Sequence, residues 1–196
     1  MRHEAISLIK SEHRSMAAVL DAMSHIVRKV RDSGKDPDFR LLHAMLYYLR
    51  EFPERRHHVS EDASLFALLM QRSNSADNII RELESEHDQG ETMLNMLTVA
   101  LSTWEAGRPE GAAGFAQALK RFSEFYWRHM DKEESGLLPI AEKELTEEDW
   151  REIRDRFAAH ADPLSGKQRI DEFDALFSDI VRMTPAPLGV GDPDRS

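Results

Sequence analysis

Apolar residues recur at steps of three and four along most of the chain, which is the period of a helix buried on one side. The first such stripe is Ile6, Ile9, His13, Met16, Leu20, Met23, Val27 and Val30. It ends at Ser33 and Gly34, where glycine favours the left-handed turn that closes a helix. Segments with the alternating period of a β-strand are nearly absent, so the pattern predicts an all-α protein.

Three more long helical stripes follow the first. A second helix is expected to begin near Asp36 and Pro37 and to run to about Arg72, with Pro53 as a site of kinking. The third stripe is Ile80, Leu83, His87, Gly90, Leu94, Leu97, Leu101 and Trp104, and the fourth is Phe115, Leu119, Phe122, Tyr126, His129, Glu133, Leu137 and Ile140. Four long helices with short connections predict an antiparallel up-down-up-down four-helix bundle over about residues 3–143.

Two short accessory helices are expected after the bundle, over about residues 146–182. Thr146 and Asp149 have the spacing of a capping box that would begin the first of them. Their apolar faces are Trp150, Ile153, Phe157 and His160, and then Ile170, Phe173, Phe177 and Ile180. Residues 184–196, rich in Pro, Gly and Asp, have the composition of a disordered tail, so we expect one domain over residues 1–183.

Composition narrows the class of protein. The chain of 196 residues has no cysteine, which excludes disulfide scaffolds, thiolate zinc sites, iron–sulfur clusters and cysteine nucleophiles. Its net charge of −10 argues against binding a nucleic acid backbone. No apolar run is long enough for a membrane span and the N-terminus lacks a signal peptide pattern, so we expect a soluble, cytoplasmic protein.

Polar residues interrupt the apolar stripes at four positions, which are His13, His87, His129 and Glu133. Buried ionisable groups are costly unless they are paired or bound to metal. The second helix adds His57 and Glu61, spaced four residues apart like His129 and Glu133. An imidazole and a carboxylate at this spacing lie about 6 Å apart along the helix axis, which suits ligands of one metal or of a metal pair.

Loop positions place the four histidines at one height of the predicted bundle. His13 and His57 each lie about 20 residues from the first turn, and His57 and His87 lie about 16 and 14 residues from the second. His87 and His129 lie about 20 and 19 residues from the third turn. A histidine and carboxylate mix without thiolates favours iron or manganese, with zinc or copper open on affinity alone. Because each carboxylate can bridge two metals, a di-iron centre is the sharper interpretation.

The order of these motifs resembles the hemerythrin-like, HHE cation-binding family. The motifs are a His in the first helix, HHVSED followed by LF in the second, ESEH in the third, and HMDKEE followed by LLP in the fourth, over about residues 5–142. The resemblance implies metal ligation by His13, His57, Glu61, His87, His129 and Glu133. It further implies two iron ions bridged by carboxylate or oxygen, with manganese or zinc as substitutes, and O₂, nitric oxide or iron as the small partner.

The chain departs from the oxygen-carrying hemerythrins in two helices. Those proteins carry HxxxH in the third helix and HxxxxD in the fourth, whereas here Glu91 stands four residues after His87 and Glu133 four after His129. Fewer imidazoles and more carboxylate favour higher oxidation states and turnover. The pattern is therefore closer to hemerythrin-like proteins associated with iron, nitric oxide or redox response.

Three functions stay open at this point. We favour a sensor or carrier that binds O₂, nitric oxide or iron at the di-iron site, rather than an enzyme. The second is an enzyme on the same site, such as a peroxidase, a nitric oxide reductase or an iron-centre repair protein. The third is a metal-free helical interaction module. The sequence names no protein partner and leaves a homodimer open.

A rival site of the ferritin type would use two ExxH elements, one in the second helix and one in the third. Its residues are Glu54 with His57, and Glu84 with His87. This arrangement leaves His13, His129 and Glu61 without a role, so we rank it second.

His58 and Asp62 form a second i, i+4 pair about 100° around the second helix, and which of the two registers faces inward is left open. Further candidates lie beside the stripes. We expect Asp62 to orient an imidazole, and Glu91, Glu134 and Glu12 to be solvated or to contact a ligand. His160 is placed to cap the site, and Tyr126 to shape a small-ligand pocket.

Overall fold

The computed structural model describes residues 1–159, and every regular element in that range is helical. This confirms the predicted all-α class. The elements are α1 (Arg2–Ser33), α2 (Phe39–Leu49), π1 (Arg50–His57), α3 (His58–Ser60), π2 (Glu61–Phe66), α4 (Ala67–Arg72), α5 (Asp77–Glu105), α6 (Gly111–Asp131), π3 (Lys132–Leu137), α7 (Leu138–Glu144) and α8 (Glu147–Ala158). Helix α5 packs along α6, and α1 packs against both α6 and α8.

The first helix ends where the sequence predicts. Gly34 has a φ of 66°, and its N–H donates to the carbonyl of Val30 at 2.8 Å. The second begins slightly later than predicted, at Phe39 rather than at Asp36 and Pro37. The reason is that the carboxylate of Asp38 accepts hydrogen bonds from the backbone N–H groups of residues 40 and 41, which makes it the N-cap.

Pro53 produces a wide π turn rather than a simple kink. Proline has no N–H to donate, and the N–H of His58 donates to the carbonyl of Pro53 five residues back. The π turn π3 forms around the last inward carboxylate, where the N–H of Leu138 donates to the carbonyl of Glu133. Each π turn takes one more residue than an α turn, so it changes which side chains face the interior.

Two apolar clusters form the core. The first contains Met16, Val19, Leu20, Met23, Leu42, Met45, Leu49, Phe52, Leu94, Leu97, Leu101, Phe115, Leu119, Phe122 and Tyr126 among its members. The second contains Ala5, Ile9, Leu65, Phe66, Leu69, Ile80, Leu83, Leu137, Leu138, Trp150, Ile153 and Phe157 among its members. Each buried large side chain contributes about 1.5–3 kcal/mol relative to exposure, so these clusters can hold a polar layer between them.

Helix α8 is part of the second cluster. Thr146 and Asp149 form the expected capping box, and Arg72 at the end of α4 binds the Asp149 carboxylate through two nitrogens at 2.9 and 2.8 Å. The predicted second accessory helix, the tail over 184–196 and His160 all lie outside the described residues. Within residues 1–159, no helix combines the length and apolar character needed to span a membrane.

Candidate metal centre

A layer of polar side chains separates the two apolar clusters. On α1, His13 lies between Ile9 of the second cluster and Met16 of the first. On α5, His87 follows Leu83 of the second cluster and precedes Leu94 of the first. The layer therefore crosses the helices at one level, as the loop arithmetic predicts.

Seven buried side chains meet in this layer: His13, His57, His58, Glu61, His87, His129 and Glu133. They form two groups whose ligand atoms lie within 4.8 Å of one another. Site A consists of His13, His57, Glu61 and Glu133, and site B consists of His58, Glu61, His87 and His129. Each group offers only nitrogen and carboxylate oxygen donors, the set typical of iron, manganese and zinc.

Glu133 reaches both sites. Its Oε2 lies 3.1 Å from Nε2 of His13 in site A, and its Oε1 lies 3.3 Å from Nε2 of His129 in site B. Glu133 therefore directs one oxygen toward each group, the arrangement that a bridging carboxylate requires.

Glu61, on the second helical stretch, also directs one oxygen toward each site. Its Oε1 lies 3.2 Å from Nε2 of His57, and its Oε2 lies 3.6 Å from Nε2 of His87. The i, i+4 spacing places each carboxylate beside the histidine of its own helix, and the bundle brings its second oxygen to a neighbouring helix.

Four carboxylates at the edge of the layer, here called the outer carboxylates, accept hydrogen bonds from Nδ1 of four of the histidines. The hydrogen bonds join Nδ1 of His13 to Glu134 at 2.9 Å, of His57 to Glu12 at 2.7 Å, of His87 to Asp62 at 2.9 Å, and of His129 to Glu86 at 3.0 Å. A carboxylate accepts only, so each Nδ1 carries the proton and each Nε2 directs a lone pair toward the centre. Metal-ligating histidines are held in this way.

The inner atoms have almost no hydrogen-bond partners. Ten buried side-chain polar atoms of the described residues lack one, and eight of them belong to this layer. They are both nitrogens of His58, both oxygens of Glu61 and of Glu133, and Nε2 of His87 and of His129. Unpartnered buried polar atoms are costly and rare, so a cluster of them indicates a site whose donors suit a cation.

The contact between His13 and His57 also indicates a site for a cation. Their Nε2 atoms lie 3.1 Å apart, although both lone pairs face each other once each Nδ1 donates to its carboxylate. Two donors at about 2.1 Å from one ion and at right angles are about 3 Å apart. The residues present therefore fit a cation between them.

Charges in the layer agree with this interpretation. Burial alone raises the pKa of Glu133, but the neighbouring His129 and His13 outweigh it and hold that pKa below its usual range. Burial lowers the pKa of His57, yet Glu61 and Glu12 raise it well above its ordinary value. The layer thus keeps the Glu133 carboxylate ionised inside an apolar core, where positive charge must face it, from protonated imidazoles in the metal-free chain or from cations that take the place of their Nε2 protons.

His58 also faces the centre, together with His57. Its ring stacks on His87 with centroids 4.1 Å apart, and burial together with the charge of nearby histidines lowers its pKa well below the usual value. Both registers of the second helix therefore contribute: the two adjacent histidines point inward beside the π turn, while Asp62 turns to the back of His87.

Tyr126 lies beside the layer, with its ring centroid 6.0 Å from that of His58. Its hydroxyl donates a hydrogen bond to Glu54, whose pKa burial raises to about 7. A Cβ at Gly90 would lie 3.1 Å from Oε1 of Glu54 and 3.2 Å from the Tyr126 hydroxyl oxygen. Glycine at this point lets the pair pack closely against α5.

The rival ferritin-type site is not assembled. Glu84 is exposed on the outer face of α5. Glu54 accepts a hydrogen bond from Tyr126 and has its other oxygen 3.4 Å from Nδ1 of His58, but it belongs to neither donor group. Glu91 is likewise exposed and belongs to neither group. Glu84 and Glu91 thus face away from the layer, unlike His87 on the same helix.

The sequence pattern did not single out Glu86. It left open whether Glu12 and Glu134 are solvated or contact a metal ligand. A signal was present, because an acid adjoins an inward residue on each helical stretch: Glu12 beside His13, Asp62 beside Glu61, Glu86 beside His87, and Glu134 beside Glu133. Each of these acids then contacts the histidine of another helical stretch.

Comparison with protein families matches residues 4–141 to the hemerythrin HHE cation binding domain. No curated protein and no solved structure matches the chain. The matched range contains sites A and B and all four outer carboxylates, and it ends before α8.

Proposed function

Since this chain belongs to the hemerythrin HHE cation-binding family, we propose that it holds two iron ions in the polar layer, one at site A and one at site B. The observation that carries the proposal is the placement of Glu61 and Glu133, each with one oxygen toward each site. In the same proposal the four helical stretches, residues 2–33, 39–72, 77–105 and 111–144, run up-down-up-down as an antiparallel bundle.

The two sites would differ in their protein donors. His13 and His57 would serve site A, whereas His58, His87 and His129 would serve site B. Both carboxylates would be shared, since Glu61 belongs to both groups and Oε1 of Glu133 lies 3.3 Å from Nε2 of His129. Iron or manganese suits this mixture of imidazole and carboxylate, and zinc is the main competitor.

This difference supports binding of a small molecule at site A. Two imidazoles and two carboxylate oxygens leave more of the coordination shell of an ion open there than three imidazoles, Glu61 and the nearby Oε1 of Glu133 do at site B. When bound, an iron pair supplies reversible ligand binding and one-electron redox chemistry. We therefore propose a role in binding O₂ or nitric oxide, as a carrier or a sensor in redox response.

Metal analysis tests the proposal. The full chain, expressed in iron-supplemented medium without a histidine tag, is expected to hold about two iron ions and to show near-ultraviolet charge-transfer bands that change on anaerobic reduction. A His87→Ala variant should lose iron, whereas His43→Ala should retain it, since His43 is half-exposed and pairs with Glu105 away from the layer.

Two results would count against the proposal. Failure of the wild-type chain to take up iron, manganese or zinc during reconstitution would overturn the metal centre. Catalytic turnover of peroxide or nitric oxide with a reductant would replace the carrier or sensor role with an enzyme on the same site.

A further inference from the structure

Two of the four outer carboxylates also bind a lysine. Nζ of Lys132 lies 2.6 Å from Oε1 of Glu86, whose Oε2 accepts from Nδ1 of His129 at 3.0 Å. Nζ of Lys10 lies 3.2 Å from Oε2 of Glu134, whose Oε1 accepts from Nδ1 of His13 at 2.9 Å. In both cases one carboxylate joins an ammonium on one oxygen to an imidazole on the other.

The other two outer carboxylates differ. Among the described residues, neither Glu12 nor Asp62 has a lysine or arginine within ion-pair distance. Arg56 lines the same small cleft as Glu12, but its guanidinium carbon lies 4.7 Å over the ring of Phe52. Only the histidine binds these two carboxylates in the described part of the chain.

The histidines whose outer carboxylate binds a lysine and those whose outer carboxylate does not contact different inner carboxylates. His13 and His129, which have the lysine-bound partners, are the histidines closest to Glu133. His57 and His87, which have the partners without lysine, lie against Glu61. Each site therefore contains one histidine of each kind, and the two kinds contact different inner carboxylates.

The lysines should change how strongly the histidines donate. A carboxylate that accepts the Nδ1 proton increases the basicity of the imidazole and strengthens Nε2 as a ligand. An ammonium on the second oxygen withdraws charge from that carboxylate, so the hydrogen bond to the imidazole weakens. Weaker donors stabilise a higher oxidation state less.

We infer that Lys10 and Lys132 are positioning residues that raise the reduction potential of the metal pair, by weakening His13 in site A and His129 in site B through their shared carboxylates. The inference rests on the proposed function, because it needs a redox-active metal in the layer. It predicts that replacing a lysine and replacing the glutamate that it binds shift the reduction potential in opposite directions, which loss of structure alone would not produce.

Spectroelectrochemical titration of the iron-loaded full chain tests this inference. Lys132→Met is expected to shift the equilibrium about tenfold toward the oxidised form, a fall of about 59 mV in a one-electron midpoint potential. Lys10→Met should shift it in the same direction. Glu86→Gln should shift it the opposite way, because it removes the charge that strengthens His129.

Conservative and distant substitutions provide the controls. Lys132→Arg keeps the positive charge beside Glu86 and should therefore have the wild-type reduction potential. Lys120→Met removes an exposed lysine of α6, which pairs with Glu124 at 3.8 Å, and should leave the potential unchanged. Zinc affinity, measured by competition with a chelator, reports on each variant independently of redox state.

The outcomes separate the two proposals. A wild-type chain that takes up no metal would overturn the proposed function and with it this inference. A chain that binds iron, but whose Lys10 and Lys132 variants shift no more than Lys120→Met, would overturn the inference alone. Shifts in the same direction for Lys132→Met and Glu86→Gln would also overturn it, because they would indicate a structural role only.

Discussion

Glu86 hydrogen-bonds not to its neighbour in sequence, His87, but to Nδ1 of His129 on the next helical stretch, at 3.0 Å. The other three outer carboxylates repeat this relationship. The acid of α1 binds the histidine of the second stretch, the acid of the second binds that of α5, and the acid of the last returns to His13 on α1. The four stretches are thus joined in a closed ring around the polar layer.

The ring makes Glu86 important for metal affinity. Replacing it with Gln should lower the affinity about 10- to 100-fold, because the neutral amide orients and polarises His129 less well. Competition with a chromophoric chelator measures this loss. Glu84→Gln, which changes an exposed acid two residues earlier on α5, should leave the affinity unchanged, and equal losses in both variants would contradict the assignment.

Glu61 should stabilise the protein both with and without metal. Its Oε1 lies 3.2 Å from Nε2 of His57, and it helps to raise the pKa of that buried imidazole well above its ordinary value. Glu61→Leu removes one partner of this buried pair, so it should lower the free energy of unfolding of the metal-free chain by about 3–5 kcal/mol and abolish metal binding. Urea unfolding in the presence of chelator, with metal analysis alongside, measures both effects. The exposed Glu124→Leu should change neither, and a metal-free Glu61→Leu chain at least as stable as the wild type would refute this account.

His58 should be the third imidazole of site B. Both its nitrogens lack hydrogen-bond partners and its ring stacks on His87, so His58→Ala should lower the metal content by about one ion per chain and shift the charge-transfer bands. Elemental analysis and absorption spectra check this result, with His43→Ala as the exposed control. Unchanged metal content and spectrum would exclude His58 as a ligand.

The junction of α4 and α8 should be sensitive to acid. Hydrogen bonds from Arg72 and from Thr146 lower the pKa of Asp149 from 3.8 to about 2. A lowered folded-state pKa means that this carboxylate stabilises the protein fully above about pH 4 and progressively less as the pH falls toward 2. Asp149→Asn should therefore cost about 1 kcal/mol at pH 6 and much less near pH 2.

Urea unfolding of the metal-free chain from pH 6 to pH 2 measures this dependence. Asp155→Asn is the matched control, since Asp155 is an exposed acid on α8 that pairs with Arg154. A destabilisation by Asp149→Asn that does not shrink on acidification would contradict the role given to its charge.

Much of the candidate site could be predicted from the sequence because it depends on distances within a helix. The rise and period of an α-helix place His129 and Glu133 on one face, and the structure brings their Nε2 and Oε1 atoms to 3.3 Å. The loop positions likewise predicted that the histidines share one level. The all-α class and the end of the first helix at Gly34 followed from local rules of the same kind.

The rest depended on how the helices are wound and rotated against one another. The π turn after Pro53 brings both His57 and His58 inward, which no uniform helical period predicts. Helix packing turns Glu84 and Glu91 to solvent and brings Glu86 to a histidine on another helix.

The sequence by itself determined which residues are spaced to share a helix face, since that spacing is set by the backbone of one helix. Only the tertiary structure decided which acid supports which histidine and where the lysines attach, because those contacts join helices whose rotation is set by the packing of the whole core.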